Sequence, residues 1–136
     1  MRILVVYAHP NPQSFNHAVK DAVLAEIGGA GHETDLLDLY AEGPKCVLDA
    51  EDFAALADGG PPEDVRAYQE RILRAEALVF VYPIWWFDRP AILKGWFDRV
   101  FTRGFAFEYV DGAPRALLLG RRALVLTTAG GPEAVY

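Results

Sequence analysis

Strand and helix patterns alternate along this 136-residue chain and predict an α/β fold on an open, doubly wound parallel sheet. Three observations carry that prediction. Short apolar runs read as strands buried on both faces, as a parallel sheet flanked by helices requires. The segments between them repeat apolar residues at helical spacing. The length suits one domain, and the chain shows no internal repeat, low-complexity tract or interdomain linker.

The elements follow in order. "RILVVYA", residues 2–8, is β-branched and nearly all apolar and predicts the first strand. "HPNPQ" breaks it with two prolines, and residues 14–27 then place Phe15, Ala18, Val19, Ala22 and Ala25 at helical spacing. Ser14 is a suitable N-cap, and the glycines from Gly28 onward end the helix. "HETDLLDLY", residues 32–40, reads as a second, shorter strand. Residues 41–63 read as a loop, punctuated by Gly43-Pro44, Gly59-Gly60 and Pro61-Pro62. Residues 62–77 form an amphipathic helix pattern, and "LVFVY", residues 78–82, a third buried strand. A helix from Pro90 to Phe101 follows, with proline acceptable in its first turn. "RRALVLTT", residues 121–128, is a fourth strand, and "AGGPEAVY", residues 129–136, the loop after it.

Composition removes several classes of function. With 13 Lys+Arg against 19 Asp+Glu the net charge is -6, which argues against nucleic-acid binding through a basic footprint. One cysteine, Cys46, excludes an internal disulfide framework and a cysteine-based zinc site, and reads as a small loop or core residue. No run approaches membrane-spanning length and no signal-peptide core is present, so a cytoplasmic location without membrane insertion is the expectation. His17 and His32 read as helix and turn residues, and no His/Asp/Glu spacing suggests a metal. Ser14 has no evident base and no nucleophile elbow exists, so hydrolase chemistry lacks support and no catalytic residue is assigned.

Three unusual loops follow strands one, three and four, at the carboxyl edge where open parallel sheets bind ligands. The first carries His9 and delivers a helix start at Ser14, Phe15 and Asn16, whose free N–H groups suit a phosphate; an ordinary capped helix is the alternative. The second, "PIWWFD", offers aromatic surface at Trp85, Trp86 and Phe87 and N–H groups after Pro83, or else plain core or dimer-interface rings. The third sets Thr127 and Thr128 beside Gly130 and Gly131, where backbone approaches a ligand closely or simply turns at the surface. A phosphate seat, a flat aromatic wall and a hydroxyl–glycine cradle together suit the mononucleotide portion of a flavin.

"YAHPNPQSFNHA", "YPIWWFDRPAILKGWFDRVF", "GFAFEY" and "TTAGGP" resemble the NAD(P)H:quinone oxidoreductase family, the DT-diaphorase type of flavodoxin-like protein. The resemblance runs in order from residue 3 to the end, with "PAILKGWFDRVF" most diagnostic. It implies a flavodoxin-like sheet order of 2-1-3-4-5, a homodimer with flavin at the interface, and hydride transfer from NAD(P)H through the flavin to a quinone-like acceptor. His9, Ser14, Phe15 and Asn16 match phosphate and ribityl contacts. Pro83, Ile84, Trp85, Trp86 and Phe87 match the loop beside the isoalloxazine, with Trp86 facing the acceptor. Thr127, Thr128, Gly130 and Gly131 match the loop at the ring's polar edge, and Phe107 and Tyr109 match aromatics that reach the partner's acceptor pocket. The cofactor is FAD or FMN, with the implied dimer favouring FAD.

Family members run further, through a fifth strand and a closing helix, so the resemblance implies a C-terminally incomplete domain lacking both, the alternative being a naturally short chain whose gap dimerisation covers. Leu124, Val125 and Leu126 would then lie along a bare apolar edge. Two further functions share this fold: a single-electron carrier of the flavodoxin kind, and a flavin-binding ancillary subunit of a potassium-efflux system. "PAILKGWFDRVF" and the "FAFEY" arm favour the enzyme over the carrier.

Overall fold

The computed structural model describes residues 1–131. Residues 132–136, the end of the last predicted loop including Tyr136, lie outside the described residues. The elements are β1 (Arg2–Tyr7), α1 (Phe15–Gly29), β2 (Glu33–Asp38), α2 (Leu39–Glu42), α3 (Ala50–Ala57), α4 (Glu63–Arg74), β3 (Ala77–Pro83), α5 (Ala91–Val100), β4 (Phe107–Val110), β5 (Ala113–Ala116) and β6 (Arg122–Thr128).

β2, β1, β3 and β6 pair in that order into a parallel sheet. This is the flavodoxin-like winding the resemblance implied, over the strands described. Strand periodicity divides β1 between two cores. Leu4, Val6 and Ala8 face one side with Ile72, Phe80, Leu93, Trp96 and Val100. Ile3, Val5 and Tyr7 face the other, with Val79, Val81 and the α1 residues Val19, Val23 and Ile27. A strand that must bury alternate residues on both faces has no place for charged ones, which is why β1 beyond Arg2 at its start, and β3, are built of apolar and aromatic residues. Among the described residues β6 pairs with β3 alone, and Leu124 and Val125 remain half exposed.

The helices obey local rules. Ser14 caps α1, its hydroxyl oxygen accepting from the His17 N–H at 3.1 Å. α4 buries Val65, Gln69 and Ile72 on one stripe, and α5 buries Leu93, Trp96 and Val100. The buried Gln69 amide donates to the Val100 carbonyl at 2.9 Å and to the Thr102 hydroxyl at 3.1 Å, satisfying the end of α5.

Two expectations are corrected. The strand expected over residues 32–40 stops at Asp38, whose carboxylate accepts from the N–H groups of Tyr40 and Ala41 and starts α2. The stretch 41–63 is not all loop: α3 rises within it on a capping box between Asp49 and Asp52. Beyond α5 the β4–β5 hairpin adds strands that the apolar pattern did not signal. Its Asp111-Gly112 tip has both φ values positive, the backbone a two-residue hairpin turn requires.

α5 also explains part of the diagnostic motif. At Gly95 a Cβ would meet the Cys46 carbonyl oxygen at 1.9 Å, so only glycine lets residues 43–49 lie on the helix. One turn later Arg99, 4% exposed, donates to Asp52 from α3 at 2.8 Å and to Asp64 from α4. Lys45 completes the group, reaching Asp49 at 2.8 Å and Asp52 at 3.1 Å.

Candidate functional site

The winding reverses between β1 and β3, and a cleft of about 490 Å³ opens outside the carboxyl ends of β1, β3 and β6. It is lined by His9, Ser14, Phe15, Asn16, Pro83, Ile84, Trp85, Trp86, Thr128, Ala129 and Gly130. Three loops thus meet in one concavity, where Asn16 and Thr128, 112 residues apart in sequence, are hydrogen-bonded.

The loop after β1 is fixed by its own polar groups. The Asn11 carboxamide oxygen accepts from the Gln13 N–H at 2.8 Å, and the Asn11 carbonyl from the Ser14 N–H at 3.2 Å. The Asn11 N–H donates to His9 Nδ1 at 3.0 Å, so a neutral His9 carries its hydrogen on Nε2. As the first residues of α1, Phe15 and Asn16 have N–H groups without helical acceptors. Asn16, 2% exposed, donates from Nδ2 to the Thr128 hydroxyl at 3.2 Å and ties α1 to the end of β6. Its Oδ1 is buried without a hydrogen-bond partner among the described residues.

The loop after β3 is a pinned turn. The Ile84 N–H donates to the Thr128 carbonyl at 2.8 Å, and Trp85 exchanges backbone bonds with Asp88 at 2.9 and 3.1 Å. These bonds correct the expectation of free N–H groups directly after Pro83, because those of Ile84 and Trp85 are used within the protein. Trp86 and Phe87 form the tip with φ of 52° and 64°, left-handed values that bulky residues rarely adopt. Trp86 is 96% exposed, while Trp85 turns back and packs edge-on to His9 with ring centroids 5.6 Å apart.

In the third loop Thr128, Ala129 and Gly130 line the cleft. Thr127 is one residue back on β6, opposite Tyr82, and does not line it; strand alternation sends adjacent side chains to opposite faces. Gly131 and Phe87 also lie off the lining. Phe107 and Tyr109 stand on β4, edge-to-face at 5.7 Å and apart from the cleft of this chain. Arg103 fastens that arm, with Nε at 2.6 Å from Glu108 and its guanidinium 5.8 Å from the Tyr109 ring. Ala129 was not singled out by its residue type, and only its place between Thr128 and Gly130 pointed to it.

Beside the cleft a polar cluster runs from β1 to α1. The Tyr7 hydroxyl lies 3.2 Å from His17 Nδ1, and Lys20 Nζ lies 3.3 Å from His17 Nε2 and 2.5 Å from Asp21. Burial pushes the Tyr7 hydroxyl pKa up, keeping it a neutral donor or acceptor. The described residues hold no group of three or more His, Cys, Asp or Glu suited to a metal ion. Among them, no helix is long and apolar enough to cross a membrane.

The lining therefore offers N–H, hydroxyl and imidazole donors at one side, an exposed indole at another, and a buried amide oxygen awaiting a donor. Such a set suits a ligand that joins an anionic group, hydroxyls and a flat ring.

Among known proteins, the chain is 35% identical to NAD(P)H dehydrogenase (quinone) 1 of Cavia porcellus, over 99% of this chain and 55% of that protein. The solved NAD(P)H:quinone oxidoreductase of Methanothermobacter marburgensis matches at a TM-score of 0.88 and 38% identity, over 99% of this chain and 70% of that one. General stress protein 14 of Treponema denticola, solved in complex with FMN, matches at a TM-score of 0.70 and 30% identity, over 100% of this chain and 66% of that one. The chain spans 60%, 55% and 66% of the length of three of the curated relatives it matches. With residues 1–136 all matching the family described as flavodoxin-like fold, the chain belongs to that family.

Proposed function

We propose that this protein is a flavin-dependent NAD(P)H oxidoreductase that passes two electrons to quinones or related acceptors. The observation that carries the reading is the meeting of three loops in one cleft whose donors, ring and backbone match the parts of a flavin mononucleotide. The names of the relatives, quinone-reducing NAD(P)H dehydrogenases, support the same chemistry.

In this reading the N–H groups of Phe15 and Asn16, the Ser14 hydroxyl and His9 Nε2 hold the phosphate and ribityl oxygens. Ser14 Oγ accepts from the His17 N–H and is a hydrogen-bond neighbour of the Tyr7 hydroxyl, which fixes its place at the rim of the cleft. Trp86 supplies the flat apolar face toward ring and acceptor, and Thr128 and Gly130 border the ring's polar edge. A bound flavin supplies the two-electron chemistry between nicotinamide and acceptor, and the chain's residues bind, orient and screen it. FMN and FAD share the mononucleotide portion; the FMN-bound relative favours FMN, and the implied dimer favours FAD. A homodimer would direct the Phe107 and Tyr109 arm toward the partner's cleft. The location proposed is the cytoplasm, where the lone thiol of Cys46, its pKa pushed up by burial, stays reduced.

The test is the visible absorbance of the purified protein, followed by release and identification of the chromophore and turnover with NADH or NADPH and a small quinone. A flavin spectrum with steady-state lines that run parallel, as donor and acceptor take turns in one pocket, is the expected result. A protein that stays colourless after incubation with both FMN and FAD overturns the proposal.

A further inference from the structure

We propose that the side chain of Trp85 is a positioning residue for His9, holding the imidazole so that its Nε2–H is presented to the cleft. The inference rests on the proposed flavin role of that cleft, but its geometry belongs to this chain alone.

His9 is gripped from two sides. The Asn11 N–H occupies Nδ1 at 3.0 Å, and a ring flip would forfeit that bond. The Trp85 indole lies against the ring at 5.6 Å and 61°, the edge-to-face packing that aromatic pairs favour. Together they restrict both side-chain torsions, and Nε2, with no acceptor among the described residues, becomes an outward donor.

The indole can serve as a stop because its backbone is fixed. Ile84 N–H is bonded to the Thr128 carbonyl, and Trp85 exchanges both of its backbone groups with Asp88. The chain then turns through left-handed Trp86 and Phe87, so adjacent tryptophans point to different tasks. Trp86 is 96% exposed and offers its face to a ligand, whereas Trp85, 41% exposed, packs back on the first loop. Trp85 thereby links the loop that ends β1 to the loop that ends β3. A donor held in advance loses no torsional freedom when an anionic or hydroxyl oxygen arrives, so the link acts on ligand affinity.

The experiment is a double-mutant cycle on flavin affinity, read by quenching of flavin fluorescence as His9→Ala, Trp85→Ala and the double variant are titrated with FMN and with FAD. Each single variant should bind about two- to twelvefold more weakly, the range of one aromatic pair. The double variant should be no weaker than His9→Ala, because Trp85 acts through the imidazole. Trp85→Phe should restore most of the affinity. Multiplying losses in the double variant overturn the inference.

Histidine ¹⁵N spectra of the ligand-free protein give a second readout. A single Nε2–H tautomer is expected for His9, lost in Trp85→Ala and kept in Trp85→Phe. An unchanged His9 signal in Trp85→Ala overturns the inference; should that variant fold poorly, Trp85→Leu takes its place. If no variant and not even the native chain binds a flavin, the functional reading falls, while the spectra still decide the role of Trp85.

Discussion

Two connecting stretches of the chain are held in opposite ways. Residues 43–64 are drawn onto α5 by satisfied interactions: Gly95 admits the backbone at Cys46, and the buried Arg99 gathers the buried Asp52 and the exposed Asp64 into one ion cluster. Residues 83–90 carry as many large side chains, yet their tip is turned outward on left-handed backbone with Trp86 almost fully exposed. The first stretch completes the fold and leaves little polar capacity over. The second spends backbone energy to hold an apolar ring in solvent, as the proposed ligand-binding surface would require. The contrast teaches where stability and binding reside, and each change below should move one without the other.

The largest effect is expected from Arg99→Ala. It would leave Asp52, 2% exposed, with Lys45 as its remaining ion partner and its main charged donor gone, at about 3 kcal/mol of stability. Urea denaturation measures it, and a loss below about 1 kcal/mol would mean the cluster is not what holds the stretch. Gly95→Ala comes next. The added methyl clashes with backbone rather than a movable side chain, so about 1–3 kcal/mol should be lost despite alanine's better helix propensity.

Acid should reveal the same cluster. Its hydrogen bond with Arg99 holds the Asp52 carboxyl well below the usual carboxylate range, and Asp64 is held low by the same guanidinium. Folded values below the unfolded ones mean stabilisation that is complete above the unfolded carboxylate pKa of about 3.9. It is lost progressively as pH falls below that value. Denaturation midpoints should therefore drop from about pH 4 downward in the native chain, and the drop should be shallower in Arg99→Ala. Equal slopes in the two would break the assignment.

The sheet was legible because its physics is local: β1 after Arg2, and β3, must be apolar in near-continuous runs when both faces are covered. Ser14 showed itself as a cap beside a helical pattern, and the three loops met in one cleft because they follow strands that end on the same edge. The clasp on α5 was not legible, since Arg99 finds Asp52 and Asp64 from 47 and 35 residues away. α3 was masked by the glycines and prolines around it, although Asp49 and Asp52 spelled its capping box. The hairpin had a visible signal in Asp111-Gly112, but Val110 and Ala113 beside it are too few to read as strands. Strand alternation would have separated Thr128 from Thr127 once β6 was set in register with β3. Nothing local marks Trp86 and Phe87 as left-handed, because such turns ordinarily use Asn-Gly.

That mismatch gives the smallest change in stability and the sharpest separation from binding. Trp86→Asn replaces a bulky residue by one that tolerates φ near 52° through its short polar side chain. A left-handed backbone costs a typical L-residue roughly 1–2 kcal/mol, of which asparagine recovers part. The indole, 96% exposed, gives up almost no buried area when removed. Stability should therefore hold or rise by up to about 1 kcal/mol. Binding should move the other way, since the ring proposed to face a flavin or acceptor is gone, with about 0.5–1.5 kcal/mol lost for one stacking contact. Thermal melts and titrations with flavin and a small quinone, run side by side with Arg99→Ala, measure both axes. A variant that melts higher and binds more weakly fits a turn held for its ligand. A variant that loses stability while binding both ligands as before would place Trp86 among the residues that hold the fold, and the contrast between the two stretches would collapse.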